Sequence, residues 1–209
     1  TSGLGIDKKT LNYSMYDVMK RRVGIKSVIL KTAADNVHIA PANLSLIRAT
    51  VRKYRSREEA EILKSALRSC NRFYDYILID TPPSNGHFIV NGAVAADFIV
   101  LVLDPGIFAL EGVESFERIL ADYNKRNNLG ITIGMALVTK CQRQIFPFFS
   151  GDYSKDIRDE VEEITGKKVF MVPYSAVVIE SQIKGLPVSH IKPYSAVGRA
   201  YYNIAQEIL

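Results

Sequence analysis

The stretch Tyr76-Ile77-Leu78-Ile79-Asp80-Thr81-Pro82-Pro83-Ser84 decides how the chain is read. Four consecutive bulky residues predict a strand buried on both faces, which carries one carboxylate, Asp80, to its C-terminal end. Ligands bind at that end in open α/β sheets. A strand-end Asp followed by small polar and proline residues suits a water-mediated hold on nucleotide-bound Mg²⁺, because a hard cation that keeps several waters needs a fixed acceptor to orient them. The element is Walker-B-like. Its counterpart would be a Gly-rich loop ending in Gly-Lys-Ser/Thr, whose backbone N–H groups cradle phosphates, and none of the 13 glycines sits in such a run. The sequence thus carries half of a nucleotide site. Taken alone, Asp80 reads equally well as a strand-end residue that caps the next turn.

At 209 residues, with 47% hydrophobic and 23% charged residues, the chain is long enough to bury a full core and reads as one globular domain over 1–209. The longest wholly apolar run, residues 98–103, is far short of the ~20 residues that cross a bilayer. Nothing at the start resembles a secretion signal. Cys70 and Cys141 are too far apart for a Cys-x-x-Cys motif; they fit a reducing cytoplasm and read as structural. The net charge of +5 is clustered: Lys20-Arg21-Arg22, then Arg48, Arg52, Lys53, Arg55 and Arg57, then Lys125-Arg126 and Lys167-Lys168. Such clusters point to nucleic acid, and they are also what solvated helix ends and loops look like. The chain opens at Thr1 without an initiator Met and as a loop, so a segment upstream is expected.

Working outward from Asp80, strand and helix patterns alternate. A short helix over 14–20 is capped by Ser14, a strand at 37–40 is stopped by Pro41, and one polar helix runs from Ser56 to Cys70 with Ile62, Leu63, Ala66 and Leu67 at helical spacing. After the Asp80 strand come a helix over 88–96, a buried strand over 98–103 and a helix over 110–125 with the stripe Val113, Phe116, Ile119, Leu120 and Tyr123. A strand over 131–138, a charged helix over 152–165 closed by Gly166, a strand over 169–172 stopped by Pro173, and helices over 176–184 and 194–209 complete the chain. Repeated β-α-β order implies an α/β fold with a parallel sheet and helices on both faces.

Several of these stretches, in order, resemble the ParA/Soj family of partitioning ATPases, the deviant Walker-A branch of P-loop proteins that also contains MinD. They are the opening TSGLGID with SMYDVM behind it, NVHIAPANLSL at 36–46, YDYILIDTPPS at 74–84, and NGAVAAD at 91–97 with FALEG at 108–112. Gly185-Leu186-Pro187-Val188 and the closing YYNIAQEIL at 201–209 follow at the family's distances. The similarity spans essentially all 209 residues.

The resemblance implies a P-loop NTPase-like fold and an ATP-dependent homodimer that binds duplex DNA without sequence preference. Hydrolysis of ATP with Mg²⁺ would be triggered by a ParB-like centromere-binding partner, in the cytoplasm on the nucleoid. Asp80 would be the catalytic carboxylate, holding Mg²⁺ through water, with Thr81, Pro82 and Pro83 as the rigid loop beside the γ-phosphate. Thr139 and Lys140 fall at the family's base-contacting turn, and Pro173 and Tyr174 would close over the adenine. Each is otherwise an ordinary strand-terminating turn residue.

The departures are specific. The family's signature lysines and P-loop Ser/Thr would precede Thr1, in a β-α-β unit of roughly 40 residues, so the sheet is expected to lack its P-loop strand and the 209 residues alone to be inactive. The loop after Pro173, Ser175-Ala176-Val177-Val178-Ile179, is neutral where the family is often Arg-rich, which shifts the DNA-contact candidates to Lys140, Arg143, Lys184 and Lys192. A MinD-like membrane-cycling ATPase would need a basic amphipathic C-terminal helix, and residues 204–209 lack the basic face, so no membrane is expected. A non-catalytic DNA- or partner-binding module that has lost its P-loop is the remaining alternative. His38, His87 and His190 are isolated and read as structural, and the apolar Phe146-Pro147-Phe148-Phe149 reads as a buried or partner-contacting loop.

Overall fold

A computed structural model of the chain describes residues 1–48, 56–82, 87–106, 108–141 and 153–209. Arg52, Lys53, Arg55, Pro83, Arg143 and the Phe146 to Phe149 loop lie outside the described residues. Two compact units emerge: Thr1–Asp97 with Gln182–Leu186, and Phe98–Ser181 with Pro187–Leu209.

The first unit opens on a 3-10 turn, Ser2–Leu4, closed by Gly5 at φ 76°. A β-carbon at Gly185, itself at φ 67°, would stand 2.7 Å from the Gly5 Cα, so backbone meets backbone and only glycine fits on both counts. Helix α1 (Met15–Met19) begins as the sequence predicts: the Ser14 hydroxyl accepts from the Tyr16 N–H at 3.3 Å, and the Asp17 carboxylate accepts from the Ser14 N–H at 3.0 Å. The strand expected at 37–40 is β2 (His38–Ile39), paired antiparallel with β1 (Leu30–Lys31), a partner the sequence reading lacked. The end of the NVHIAPANLSL stretch opens helix α2 (Leu44–Arg48).

The helix expected from Ser56 to Cys70 is instead two, α3 (Arg57–Ala60) and α4 (Ile62–Leu67). Asn91, from α5 (His87–Ala95), causes the break. Its side-chain oxygen accepts from the Leu63 N–H at 3.1 Å and its amide donates to the Glu59 carbonyl at 2.9 Å. Those two backbone groups are the i→i−4 pair of a continuous helix, so the Asn91 amide is inserted into the ladder. Asn91 is fully buried, and the swap keeps both backbone groups satisfied.

The strand expected at 76–80 does not form. These residues make no ladder with any described residue; Ile79 enters the core with Met19, Leu63 and Phe88, while Leu78 is 94% exposed. Tyr76 and Ile77 are exposed as well, and a strand needs hydrogen-bonded neighbours on its edges, which none of the described segments supplies.

In the second unit, β3 (Ile99–Leu103), β4 (Ile133–Cys141) and β5 (Val169–Pro173) form a parallel sheet in the order β3-β4-β5. Helix α6 (Ala109–Asn127) joins β3 to β4 and α7 (Tyr153–Thr165) joins β4 to β5. Along β4 the side chains alternate: Ala136 and Val138 pack with Val113 of α6 and Val161 of α7, while Met135 and Leu137 pack on the other face. That face is covered by residues of α8 (Ala176–Lys184), α9 (Val188–Ile191) and α10 (Ala196–Ile208). The result is the expected α/β arrangement, a parallel sheet with helices on both faces. Strand β3 is less covered than its apolar sequence suggests: Val102 is 58% exposed, and one edge of β3 has no ladder partner among the described residues. No described helix is long and apolar enough to cross a membrane.

Replacing Asn91 with Leu is expected to strand the Leu63 N–H and Glu59 carbonyl in the core and to lower stability by about 2–4 kcal/mol. Urea unfolding measures this, and an unchanged midpoint would mean that α3 and α4 rejoin as one helix without cost.

Candidate functional site

The carboxyl ends of the three parallel strands gather the polar residues of the second unit. Strand β3 ends into Asp104-Pro105, β4 reaches Thr139-Lys140-Cys141, and β5 ends at Pro173-Tyr174. The β4–β5 register slips between Val138 and Cys141, and Lys140 lies at φ 57°, in the left-handed region. This bulge frees Thr139 and Lys140 from the ladder and re-aims their side chains. Both turn to Asp104: the Thr139 hydroxyl donates to the Asp104 carboxylate at 2.9 Å, within reach of the Leu103 carbonyl at 3.1 Å, and the Lys140 ammonium pairs with the other carboxylate oxygen. After the bulge, the Tyr174 N–H donates to the Cys141 carbonyl at 2.8 Å, which ties the β5 exit to the β4 exit. The Tyr174 ring is 61% exposed.

Thr139, Lys140, Pro173 and Tyr174 therefore share one sheet edge, as a base-contacting site requires. Asp104 belongs with them, and the sequence reading missed it. The signal was the one used for Asp80: five apolar residues, then Asp, then Pro. An open cleft of about 630 Å³ lies at the opposite edge of this sheet, lined among others by Asn124, Ile131, Thr165 and Lys167, and contains none of these residues.

Asp80, Thr81 and Pro82 belong to the first unit. Asp80 and Thr81 are exposed at the end of the unpaired run. A β-carbon at Gly92 of α5 would stand 2.7 Å from the Thr81 methyl, so α5 packs closely on the segment that follows Asp80. The glycine of the NGAVAAD stretch has a positional reason, the close approach of a helix to the loop it orients.

The DNA-contact candidates fare differently from one another. Lys140 is paired with Asp104, Lys192 pairs with Glu180 at 3.2 Å, and Lys184 lies in the last turn of α8. Of the histidines, His38 Nδ1 meets the Tyr74 hydroxyl at 2.9 Å and His190 Nδ1 meets the Ser189 hydroxyl at 3.3 Å. Cys70 and Cys141 are buried in the cores of the first and second unit respectively, and the Cys141 thiol donates to the Val138 carbonyl at 3.2 Å.

The hydrogen bond from the Lys140 ammonium holds the Asp104 carboxyl below its usual range; burial opposes it, and the Thr139 hydroxyl adds to the lowering. A depressed folded-state value means that the pair contributes fully above the unfolded aspartate value and is lost as pH falls through the folded one. Both side chains are more than half exposed, at 64% and 58%, so the contribution to stability is small and the NMR titration is the sensitive readout. Asp104 is expected to titrate below an ordinary aspartate and to return upward in Lys140→Met; titration unmoved by that change would break the assignment.

A family model described as an AAA domain matches residues 1–133. The chain is 29% identical to the chromosome-partitioning ATPase Soj of Treponema pallidum over 211 residues, which cover 100% of the chain and 80% of that protein. It is 27% identical to the sporulation initiation inhibitor protein Soj of Bacillus subtilis over 210 residues, covering 100% and 81%. It is also 27% identical to the chromosome partitioning protein ParA of Caulobacter vibrioides over 218 residues, covering 100% and 78%. Among solved structures, the Cyanothece McdA–ATP complex superposes with a TM-score of 0.83 at 17% identity, over 99% of this chain and 79% of that one. MinD of Pyrococcus horikoshii with Mg-ADP gives 0.69 at 19% identity, over 99% and 76%. At those identities the structures speak for the fold, a P-loop NTPase fold of the MinD/ParA type. With well over half of its length matched by the family model and its whole length by Soj and ParA proteins, the chain belongs to this AAA domain family, in its ParA/MinD group of partitioning ATPases.

Proposed function

We propose that this ParA-like chain works as an ATP-driven partitioning switch: it pairs with a second copy when ATP is bound, the pair holds duplex DNA without sequence preference, and a ParB-like partner triggers hydrolysis and release. The observation that carries the reading is the convergence of Thr139, Lys140, Pro173 and Tyr174 at the carboxyl edge of one parallel sheet, where a nucleotide base would sit. On this reading Thr139 and Lys140, fixed by Asp104, present the bulged backbone of β4 to the base edge, and the exposed Tyr174 ring covers its face. Cargo is chromosomal or plasmid DNA, and the names of the Soj and ParA relatives favour the chromosome.

Asp80 is the carboxylate proposed for the metal. Mg²⁺ keeps several waters and takes one or two carboxylates plus substrate phosphates, a demand that suits the exposed carboxylate of Asp80. Among the described residues no group of three or more His, Cys, Asp or Glu gathers into a cage. The nucleotide supplies the transferable phosphoryl group; the chain's own part is positioning, with Gly92 letting α5 brace Thr81, the residue that follows Asp80.

In the protein expressed from its whole reading frame, Asp80→Ala is expected to cut Mg²⁺-dependent ATP turnover by at least about a hundredfold, roughly 2.7 kcal/mol of barrier, with an unchanged melting curve. Turnover within tenfold of the parent would sink the Asp80 assignment. The 209 residues are expected to show no turnover above a denatured control, since none of their 13 glycines sits in a phosphate-cradling run, and Mg²⁺-dependent hydrolysis by them would overturn that expectation.

A further inference from the structure

The positive charge of the chain is not spread evenly. The first unit holds sixteen Lys and Arg against nine Asp and Glu, whereas the second holds eleven against thirteen, so the whole of the net +5 comes from the first. Ion pairing sharpens the contrast. In the second unit Arg118, Arg126, Lys140, Arg158, Lys168 and Lys192 each face a carboxylate within 4 Å. In the first, Lys20, Lys26, Arg68 and Arg72 are exposed and no described carboxylate pairs with them.

Two of these cations are held by an aromatic ring instead. Lys26 Nζ lies 4.4 Å, and the Arg72 guanidinium carbon 4.9 Å, from the ring centroid of Phe73, which is 58% exposed. A π face fixes a cation without cancelling its charge, so both remain able to meet an anion. The support beneath them is rigid. The Phe73 N–H donates to the Cys70 carbonyl at 2.8 Å, and Cys70 is buried with Val18, Ile25 and Val28, the segment that also carries Lys20, Arg21, Arg22 and Lys26. Arg22 lies 5.3 Å from the Tyr16 ring centroid and only 3.5 Å from one Asp17 oxygen, at the long end of an ion pair.

We infer that Lys26 and Arg72, held on the Phe73 ring, form the centre of a phosphate-backbone contact surface for duplex DNA on the first unit. It shares the partner of the proposed partitioning reading but places the contact away from Lys140 and Lys192, whose charges are already paired. Because cations lie against the Phe73 ring, the contact is with phosphate oxygens and not with a stacked base, and it carries no sequence preference. An anionic bilayer fits less well, since interfacial binding needs a broad apolar face and the apolar side of α1 is turned inward, with Val18 and Met19 buried.

The test is a binding titration of the full chain with a short random-sequence duplex at several salt concentrations, with and without ATP. The double variant Lys26→Gln/Arg72→Gln is expected to lose about tenfold in affinity at low salt and to flatten the salt slope by about two. Lys192→Gln should stay within twofold. Phe73→Leu should weaken binding severalfold and Phe73→Tyr should restore it, which separates placement of the cations from bulk charge. Melting curves within a few degrees of the parent show that these exposed changes leave the fold intact. Parent-like binding by the double variant, or no duplex binding by the parent at low salt, overturns the inference, as does preference for phosphatidylserine vesicles over duplex. Duplex binding that follows the Lys26 and Arg72 changes but ignores ATP supports this surface while failing the ATP-gated part of the partitioning reading.

Discussion

Strand β4 is the element on which the candidate site depends. It is the middle strand of its sheet, hydrogen-bonded on both edges, and its alternate residues fill both cores of the second unit. A strand so constrained cannot slip by one residue without exchanging Met135 and Leu137 for Ala136 and Val138 and emptying both cores. The freedom appears only at its end, where the ladder slips and Lys140 adopts a left-handed backbone. Rigid pairing followed by an abrupt bulge is what sets two side chains on Asp104 in a defined geometry.

The first unit solves a different problem. Its helices are short, and a buried side-chain amide, that of Asn91, splits α3 from α4 while keeping both backbone groups bonded. The break lets α4 and the turn after it swing Cys70 into the core and leave Arg72 and Phe73 on the outside. The two units thus differ in charge: the first exposes Lys20, Lys26, Arg68 and Arg72 with no described carboxylate beside them, whereas in the second Arg118, Arg126, Lys140, Arg158, Lys168 and Lys192 each face a carboxylate.

Much of this was legible beforehand. The stripe of α6, the Gly166 stop of α7 and the start of α8 follow from periodicity and capping, which are local rules, whereas α6 runs two residues past the expected end at 125. The carboxyl-edge positions of Thr139, Lys140, Pro173 and Tyr174 were reached through family resemblance, and Asp104 was missed although the same strand-then-acid pattern marks it. What failed was non-local. The β1–β2 ribbon needs two residues from each strand and gives no periodic signal; the helix break depends on Asn91, about thirty positions downstream. The run at 76–80 has the right residues for a strand but no described neighbour to pair with, and pairing partners are not encoded in the run itself.

The contact of Gly5 with Gly185 bears on when the first unit can be finished. Residues 182–186 complete a body that otherwise ends at Asp97, so its last piece is made only after Phe98–Ser181 of the second unit, with α9 and α10 still to follow. At ~5–20 residues per second that interval is on the order of ten seconds, long beside the microseconds to milliseconds in which helices and hairpins form. The sheet of β3, β4 and β5 also needs β5, which precedes that glycine, so the second unit can assemble its ladder first. Vectorial synthesis therefore favours an order in which the sheet forms early and the basic unit closes late. A nascent chain interrupted before Gly185 would hold the basic surface on an incompletely closed body.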